Sequence, residues 1–140
     1  MNRPAEKAEY LCSFSDLEAT GAFGVERPDA PDRREMVNAS PDSFEGPPQR
    51  FVVVRCGKEL RAYVNSCPHM RLPLELFPHR FLDETGEQLV CSTHGARFNV
   101  SDGECTRGPC RGDVLQKVEL IIEGNKIFFD PRQFDKAVSS

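Results

Sequence analysis

The sequence predicts an all-β fold, on three observations. Its apolar residues fall in short, strand-length runs, the densest being Phe51-Val52-Val53-Val54. Glycine and proline interrupt the chain between those runs. No stretch sustains the i, i+3, i+4 apolar spacing of a long amphipathic helix.

The expected strands, in chain order, cover residues 9–14, 50–56, 60–65, 89–91, 97–100, 114–123 and 126–130. The first gives way to Ser15-Asp16-Leu17-Glu18, enough for a single helical turn. The second and third are separated by Gly57-Lys58, and the last two by Gly124-Asn125. Both pairs suit a tight hairpin, because Gly and Asn reach positive φ at little cost. Ser101-Asp102-Gly103 reads as another turn after the 97–100 strand. In the 114–123 segment, Val114, Val118 and Leu120 are expected on one face by period-two alternation.

At 140 residues the chain has the length of one domain, 1–140, with its own core. Residues 26–49 carry five prolines (Pro28, Pro31, Pro41, Pro47 and Pro48) and many charges, with little to bury. They read as a surface insertion, either a tolerated excursion or a partner-binding arm. The longest apolar runs are too short to span a bilayer, so no membrane association is expected. Residues 1–25 lack the basic, apolar and small-residue order of a secretory signal, which points to the cytoplasm. The net charge of −4 argues against general nucleic-acid binding, since phosphate neutralisation needs a basic excess.

Six cysteines (Cys12, Cys56, Cys67, Cys91, Cys105 and Cys110) in a reducing compartment suggest metal binding more than disulfides. Histidines are scarce: His69, His79 and His94 are all there are. Two of them sit beside cysteines, in Cys67-Pro68-His69 and in Cys91-Ser92-Thr93-His94-Gly95. Each motif offers one thiolate and one imidazole within a tight loop. The order Cys, His, Cys, His differs from a zinc finger, where both cysteines precede both histidines. Interleaving suits a site with two irons, each loop giving its cysteine to one and its histidine to the other. A structural zinc site with the same four ligands is the competing metal reading.

With these two motifs and the downstream Gly108-Pro109, the sequence resembles the Rieske [2Fe–2S] family, soluble ferredoxin-like type. The similarity runs from about residue 50 to residue 130. It implies stacked antiparallel sheets with an inserted cluster-binding subdomain, placed here at residues 66–112. It also implies a [2Fe–2S] cluster held by Cys67, His69, Cys91 and His94, with the glycine–proline segment as a third loop packed over it. The spacer 70–90, with Pro78-His79-Arg80 and a turn near Asp83 to Gly86, is longer than in many ferredoxin-like members.

Respiratory members of the family add a disulfide between the cluster loops, at positions that hold Leu72 and Thr93 here. They also supply serine and tyrosine hydroxyls where this chain has Ala96 and Phe98. The resemblance is therefore to low-potential electron-transfer ferredoxins. The partners it implies are redox proteins, a reductase and a terminal oxygenase or similar enzyme. Catalysis by this chain alone is not expected: an oxygenase iron needs two further histidines and a carboxylate, and only His79 remains. A redox-sensing or accessory subunit, like nitrite-reductase small subunits, is the alternative.

Cys105 and Cys110 flank the third loop and could be paired or be small buried thiols. Cys12 and Cys56, in strand-like runs, read as core residues. The three loops, 67–74, 91–98 and 105–112, contain Arg71, Arg97, Arg107 and Arg111 and no acid. Together with Met70, Leu72 and Leu74 they suggest either a basic and apolar docking tip or side chains turned away from it.

Overall fold

A computed structural model describes residues 8–18, 20–28, 30, 48–66, 74, 80–91, 95–108 and 111–134. Nine strands are assigned among them: β1 (Glu9–Ser13), β2 (Ala22–Glu26), β3 (Arg50–Cys56), β4 (Glu59–Val64), β5 (Gln88–Val90), β6 (Arg97–Asn99), β7 (Cys105–Arg107), β8 (Leu120–Glu123) and β9 (Lys126–Phe129). They form three antiparallel three-stranded sheets, in the orders β1-β9-β8, β2-β3-β4 and β5-β6-β7. Helical structure among the described residues amounts to two 3₁₀ turns, Phe14–Leu17 and Pro131–Phe134. The first is the turn expected near Ser15, held by the Asp16 carboxylate accepting from the Ser13 N–H at 2.9 Å.

β3 organises the molecule. Side chains alternate across a strand, and this strand is buried on both faces. Phe51 and Val53 enter one core with Leu11, Cys12, Leu17, Ala62, Val118, Ile127 and Phe129. Val52 and Val54 enter a second with Tyr63, Leu74, Phe81, Leu89, Cys91, Ala96, Phe98, Cys105 and Leu115. The continuous apolar run 51–54 is the sequence of a strand with no solvent face. β2-β3-β4 is therefore the middle layer, with β1-β9-β8 on one side and β5-β6-β7 on the other. The first core is aromatic at its centre, where the Phe51 and Phe129 rings lie 4.7 Å apart and Phe134 stacks on Phe51 at 5.9 Å.

The hairpins at Gly57-Lys58 and Gly124-Asn125 form as expected, with Gly57 at φ 63° and Gly124 at φ 61°. Two strands were not anticipated. β2, Ala-Phe-Gly-Val-Glu, is broken in composition by Gly24, yet it pairs with β3 along its whole length and packs Phe23 and Val25 into the first core. β7 is only three residues long and pairs with β6 across a register shift. The expected long strand 114–123 is also corrected. Only Leu120–Glu123 joins a ladder, and Val114 is 57% exposed whereas Leu115 and Val118 are buried. The segment crosses from one core to the other: Leu115 N–H bonds to Gly103 O, and Val118 N–H bonds to Ala62 O. A crossing chain follows no single face, so period-two alternation fails there.

Between β2 and β3 the chain leaves and re-enters the middle sheet at neighbouring positions. Arg27 N–H donates to Gln49 O at 2.8 Å, one step beyond the Glu26–Arg50 pair. Most of residues 29–47 lies outside the described residues. Among the described residues no helix is long and apolar enough to cross a membrane.

Tyr63 ties the middle sheet to β5-β6-β7. It is fully buried, its hydroxyl donates to Val100 O at 2.7 Å, and a Cβ on Gly103 would come within 2.8 Å of its ring. Burial raises its pKa from 10 to about 12. Tyr63→Phe should lower stability near neutral pH by about 1–3 kcal/mol, because the buried Val100 carbonyl loses its phenolic donor. The folded pKa lies above the unfolded one, so the wild-type phenol contributes fully below pH 10 and its contribution fades between pH 10 and about 12. Denaturant titrations should therefore show the gap between wild type and Tyr63→Phe shrinking above pH 10. A gap that is constant with pH would contradict this assignment.

Candidate metal centre

Cys91 is the expected ligand that the described residues contain. Cys67, His69 and His94 lie outside them, as do Met70, Arg71, Leu72, His79, Thr93, Pro109 and Cys110. Accordingly, no group of three metal-ligating side chains occurs among the described residues. The frames of all three loops are nonetheless well defined at their ends.

The second loop begins at Cys91, immediately after β5. Its two ends are closed by Cys91 N–H donating to Ala96 O and Gly95 N–H donating to Cys91 O, both at 2.8 Å. Gly95 sits at φ 73°, a left-handed conformation in which a side chain is strained. Among the described residues nothing lies within 4 Å of the place a Cβ would take there, and it is the backbone turn that requires glycine. This tight return leaves Cys91 only 1% exposed and carries the chain into β6, where Phe98 pairs with Leu89.

The third loop packs on the second. Gly108 has φ 96°, and a Cβ there would lie 2.8 Å from the Ala96 Cα and 3.1 Å from the Ala96 Cβ. Neither contact could be borne without moving backbone. The small residues at 96 and 108 let the two loops touch. The third loop is closed at its base by Cys105 N–H to Asp113 O at 2.8 Å and Gly112 N–H to Cys105 O at 3.2 Å. The Cys105 thiol is buried and donates to Arg107 O at 3.1 Å.

The first loop is bracketed by Asn65 and Leu74. The Asn65 side-chain oxygen accepts from Leu74 N–H at 2.7 Å, and Leu74 is fully buried in the second core.

The arginine reading changes in part. Arg97 is tied to Asp83, with Nη1 to Oδ2 at 3.1 Å. The other Asp83 oxygen accepts from the Thr85 hydroxyl, Thr85 N–H and Gly86 N–H, and these hydrogen bonds hold its pKa below the usual carboxylate value. The spacer thus supplies the acid that the loops lack, and Arg97 is neutralised. Arg107 and Arg111 are exposed. Cys12 is core, as expected, and burial pushes its thiol pKa up to about 12. Cys56 is half-buried against the second core.

What sequence reasoning missed here is Asn65, Gly108 as a space requirement, and the Asp83–Arg97 pair. An asparagine two residues before an expected ligand cysteine was a visible signal. The pairing of Asp83 with a residue fourteen positions away was not.

The two thiols and two imidazoles expected from the sequence motifs are a donor set suited to a two-iron, two-sulfide cluster, and the described ends of both motif-bearing loops are closed by hydrogen bonds. A search of the curated proteins finds no match. Among solved structures, a chain from the complex of reduced oxygenase and oxidized ferredoxin in carbazole 1,9a-dioxygenase is 20% identical, with a TM-score of 0.60, covering 89% of this chain and 94% of that one. A Sphingomonas yanoikuyae B1 ferredoxin is 17% identical, with a TM-score of 0.59 and coverage of 88% and 97%. The cyanobacterial plasma membrane Rieske protein of Synechocystis PCC 6803 is 20% identical, with a TM-score of 0.58 and coverage of 86% and 97%. At these identities the likeness is one of fold. The family model of the Rieske [2Fe-2S] domain matches residues 27–119, which takes in all three loops and the whole middle sheet except β2. This chain belongs to the Rieske [2Fe–2S] domain family.

Proposed function

We propose that this protein is a one-electron carrier, a Rieske-type ferredoxin passing electrons from a reductase to a terminal oxygenase or similar redox enzyme. Cys67, His69, Cys91 and His94 are its cluster ligands in this reading. The observation that carries it is the buried Cys91 at the base of a closed loop on which Gly108 is seated. A [2Fe–2S] cluster bound there supplies reversible one-electron chemistry, with imidazoles in place of two thiolates setting a potential of roughly −150 to +300 mV, above the roughly −400 mV of plant-type ferredoxins. The carbazole dioxygenase complex, in which an oxygenase and a ferredoxin occur together, supports the choice of partner class. The reading places the carrier in the cytoplasm, where thiols stay reduced and available to iron.

The chain's own residues do three things. The closed second loop holds Cys91 at a fixed depth, and Gly108 of the third loop is seated against Ala96 of the same loop. Ala96 and Phe98, both fully buried, offer no hydroxyl donor toward the cluster, so the added charge of the reduced state is met by fewer hydrogen bonds. Arg107 and Arg111 keep exposed positive charge on the third loop, which favours an acidic partner surface.

Protein purified anaerobically should be brown and hold two irons and two labile sulfides per chain, which chemical analysis and an ultraviolet–visible spectrum will report. Cys67→Ala and Cys91→Ala should each abolish the cluster and lower stability, because ligation contributes folding energy. A colourless, zinc-loaded wild type would refute the reading, and electron transfer from a reductase then tests the carrier role directly.

Gly108→Ala should reduce stability by about 1–3 kcal/mol, through positive-φ strain together with the Ala96 clash. The iron content of the purified variant should fall with it. Normal iron loading and stability would mean that the third loop does not need its close approach.

The potential should lie near the low end of the family's range, around −150 mV. If roughly 1 kcal/mol of an added hydrogen bond is specific to the reduced state, Ala96→Ser and Phe98→Tyr should each raise the potential by on the order of 50 mV. Protein-film voltammetry would measure both. A wild-type potential well above zero would assign the dominant role to backbone donors.

A further inference from the structure

We infer that Asn65 is a positioning residue that sets the span of the first cluster loop and thereby controls how firmly the cluster is retained. The inference rests on the ligand assignment proposed above for Cys67 and His69.

Asn65 stands at the end of the β3–β4 ladder, just before that loop. Its N–H donates to Arg50 O at 2.9 Å, which extends the β3–β4 ladder by one step past the Phe51–Val64 pair. The chain then turns sharply, with Ser66 N–H bonded to Val64 O at 2.9 Å. The Asn65 residue is only 3% exposed although it is polar. Its Oδ1 reaches across to the Leu74 N–H at 2.7 Å, a hydrogen bond between fully buried groups. Leu74 is in turn anchored, at 0% exposure, among Phe81, Leu89, Cys91, Ala96 and Phe98. The exit and the return of the chain are therefore joined by one side chain, with residues 66–73 between them. Cys67 and His69 lie within that bracket. Leu74, the return end of that bracket, belongs to the same buried cluster as Cys91.

Without the acceptor, the Leu74 N–H would be buried without this partner and the return of the loop would be free to move. A ligand pair held at the wrong separation exchanges its iron faster, whereas the three sheets keep their own cores. Neither β3 nor β4 needs the Asn65 side chain for its ladder, because Asn65 pairs with Arg50 through its backbone.

The test uses the holoprotein and an iron chelator in native buffer, following loss of the cluster's visible absorbance. Asn65→Leu removes the acceptor, and Asn65→Asp keeps an oxygen at the same reach. Asn65→Leu should speed cluster release on the order of tenfold, the scale of one buried hydrogen bond. Asn65→Asp should stay within about threefold of wild type on the same basis. The reduced-state electron paramagnetic resonance spectrum should shift in Asn65→Leu and far less in Asn65→Asp. If Asn65→Leu fails to fold, Asn65→Ala, which leaves room for water, gives the same comparison. Unchanged release in the truncated variant would overturn the inference, as would release from Asn65→Asp as fast as from the truncation. Release that rises only in step with global unfolding, followed by circular dichroism, would also overturn it. Cys67→Ala run in parallel separates this failure from the other: a cluster that survives Cys67→Ala refutes the ligand assignment itself.

Discussion

Burial of β3 on both faces is the constraint on which the rest of the structure depends. A strand without a solvent face must be covered twice, and the two covers have different tasks. On the Phe51 and Val53 side, β1-β9-β8 forms an aromatic base that holds the middle sheet rigid. On the Val52 and Val54 side, the short strands β5-β6-β7 are too small to make a core among themselves. They borrow one from the middle sheet through Tyr63, Val52 and Val54. Leu74, Cys91, Ala96 and Cys105, at the described ends of the three loops, are all buried in this borrowed core, so those ends are positioned by β3 and β4.

That positioning follows a consistent pattern. Each loop is closed at its described ends by backbone or side-chain hydrogen bonds. Cys91 with Ala96 and Gly95 closes the second, Cys105 with Asp113 and Gly112 the third, and Asn65 with Leu74 the first. Short loops carry little apolar surface, and a closed hydrogen-bond ring is a way to fix such a segment without a core of its own. The second and third loops then lock to each other because residues 96 and 108 are small enough for backbone to meet backbone.

The sequence made the ligand motifs, the central hairpin and the layered β class legible, because each depends on local chemistry: spacing of Cys and His, glycine at a turn, a run of valines. The missing pieces depended on distant partners. No strand was expected at β2, where Gly24 interrupts the apolar residues, and β3 supplies its ladder while the first core accepts Phe23 and Val25. Leu115 and Val118 are buried in different cores, a distinction that no periodicity can encode. Arg97 looked like free charge until the fold brought Asp83 beside it. Of the four ligands expected from the motifs, Cys91 alone falls among the described residues.

The hydrogen bond between Arg27 and Gln49 has a consequence for how such a chain can vary. Because the chain departs from the sheet and rejoins it at neighbouring steps, the β2–β3 ladder fixes both ends of the excursion whatever its length. Closing a longer loop costs little more than closing a shorter one, since the penalty grows only with the logarithm of length. The junction therefore behaves as a cassette boundary. Lineages could exchange, trim or enlarge the intervening segment, and an engineer could graft a reporter or a tether there, while the layers beneath keep their register.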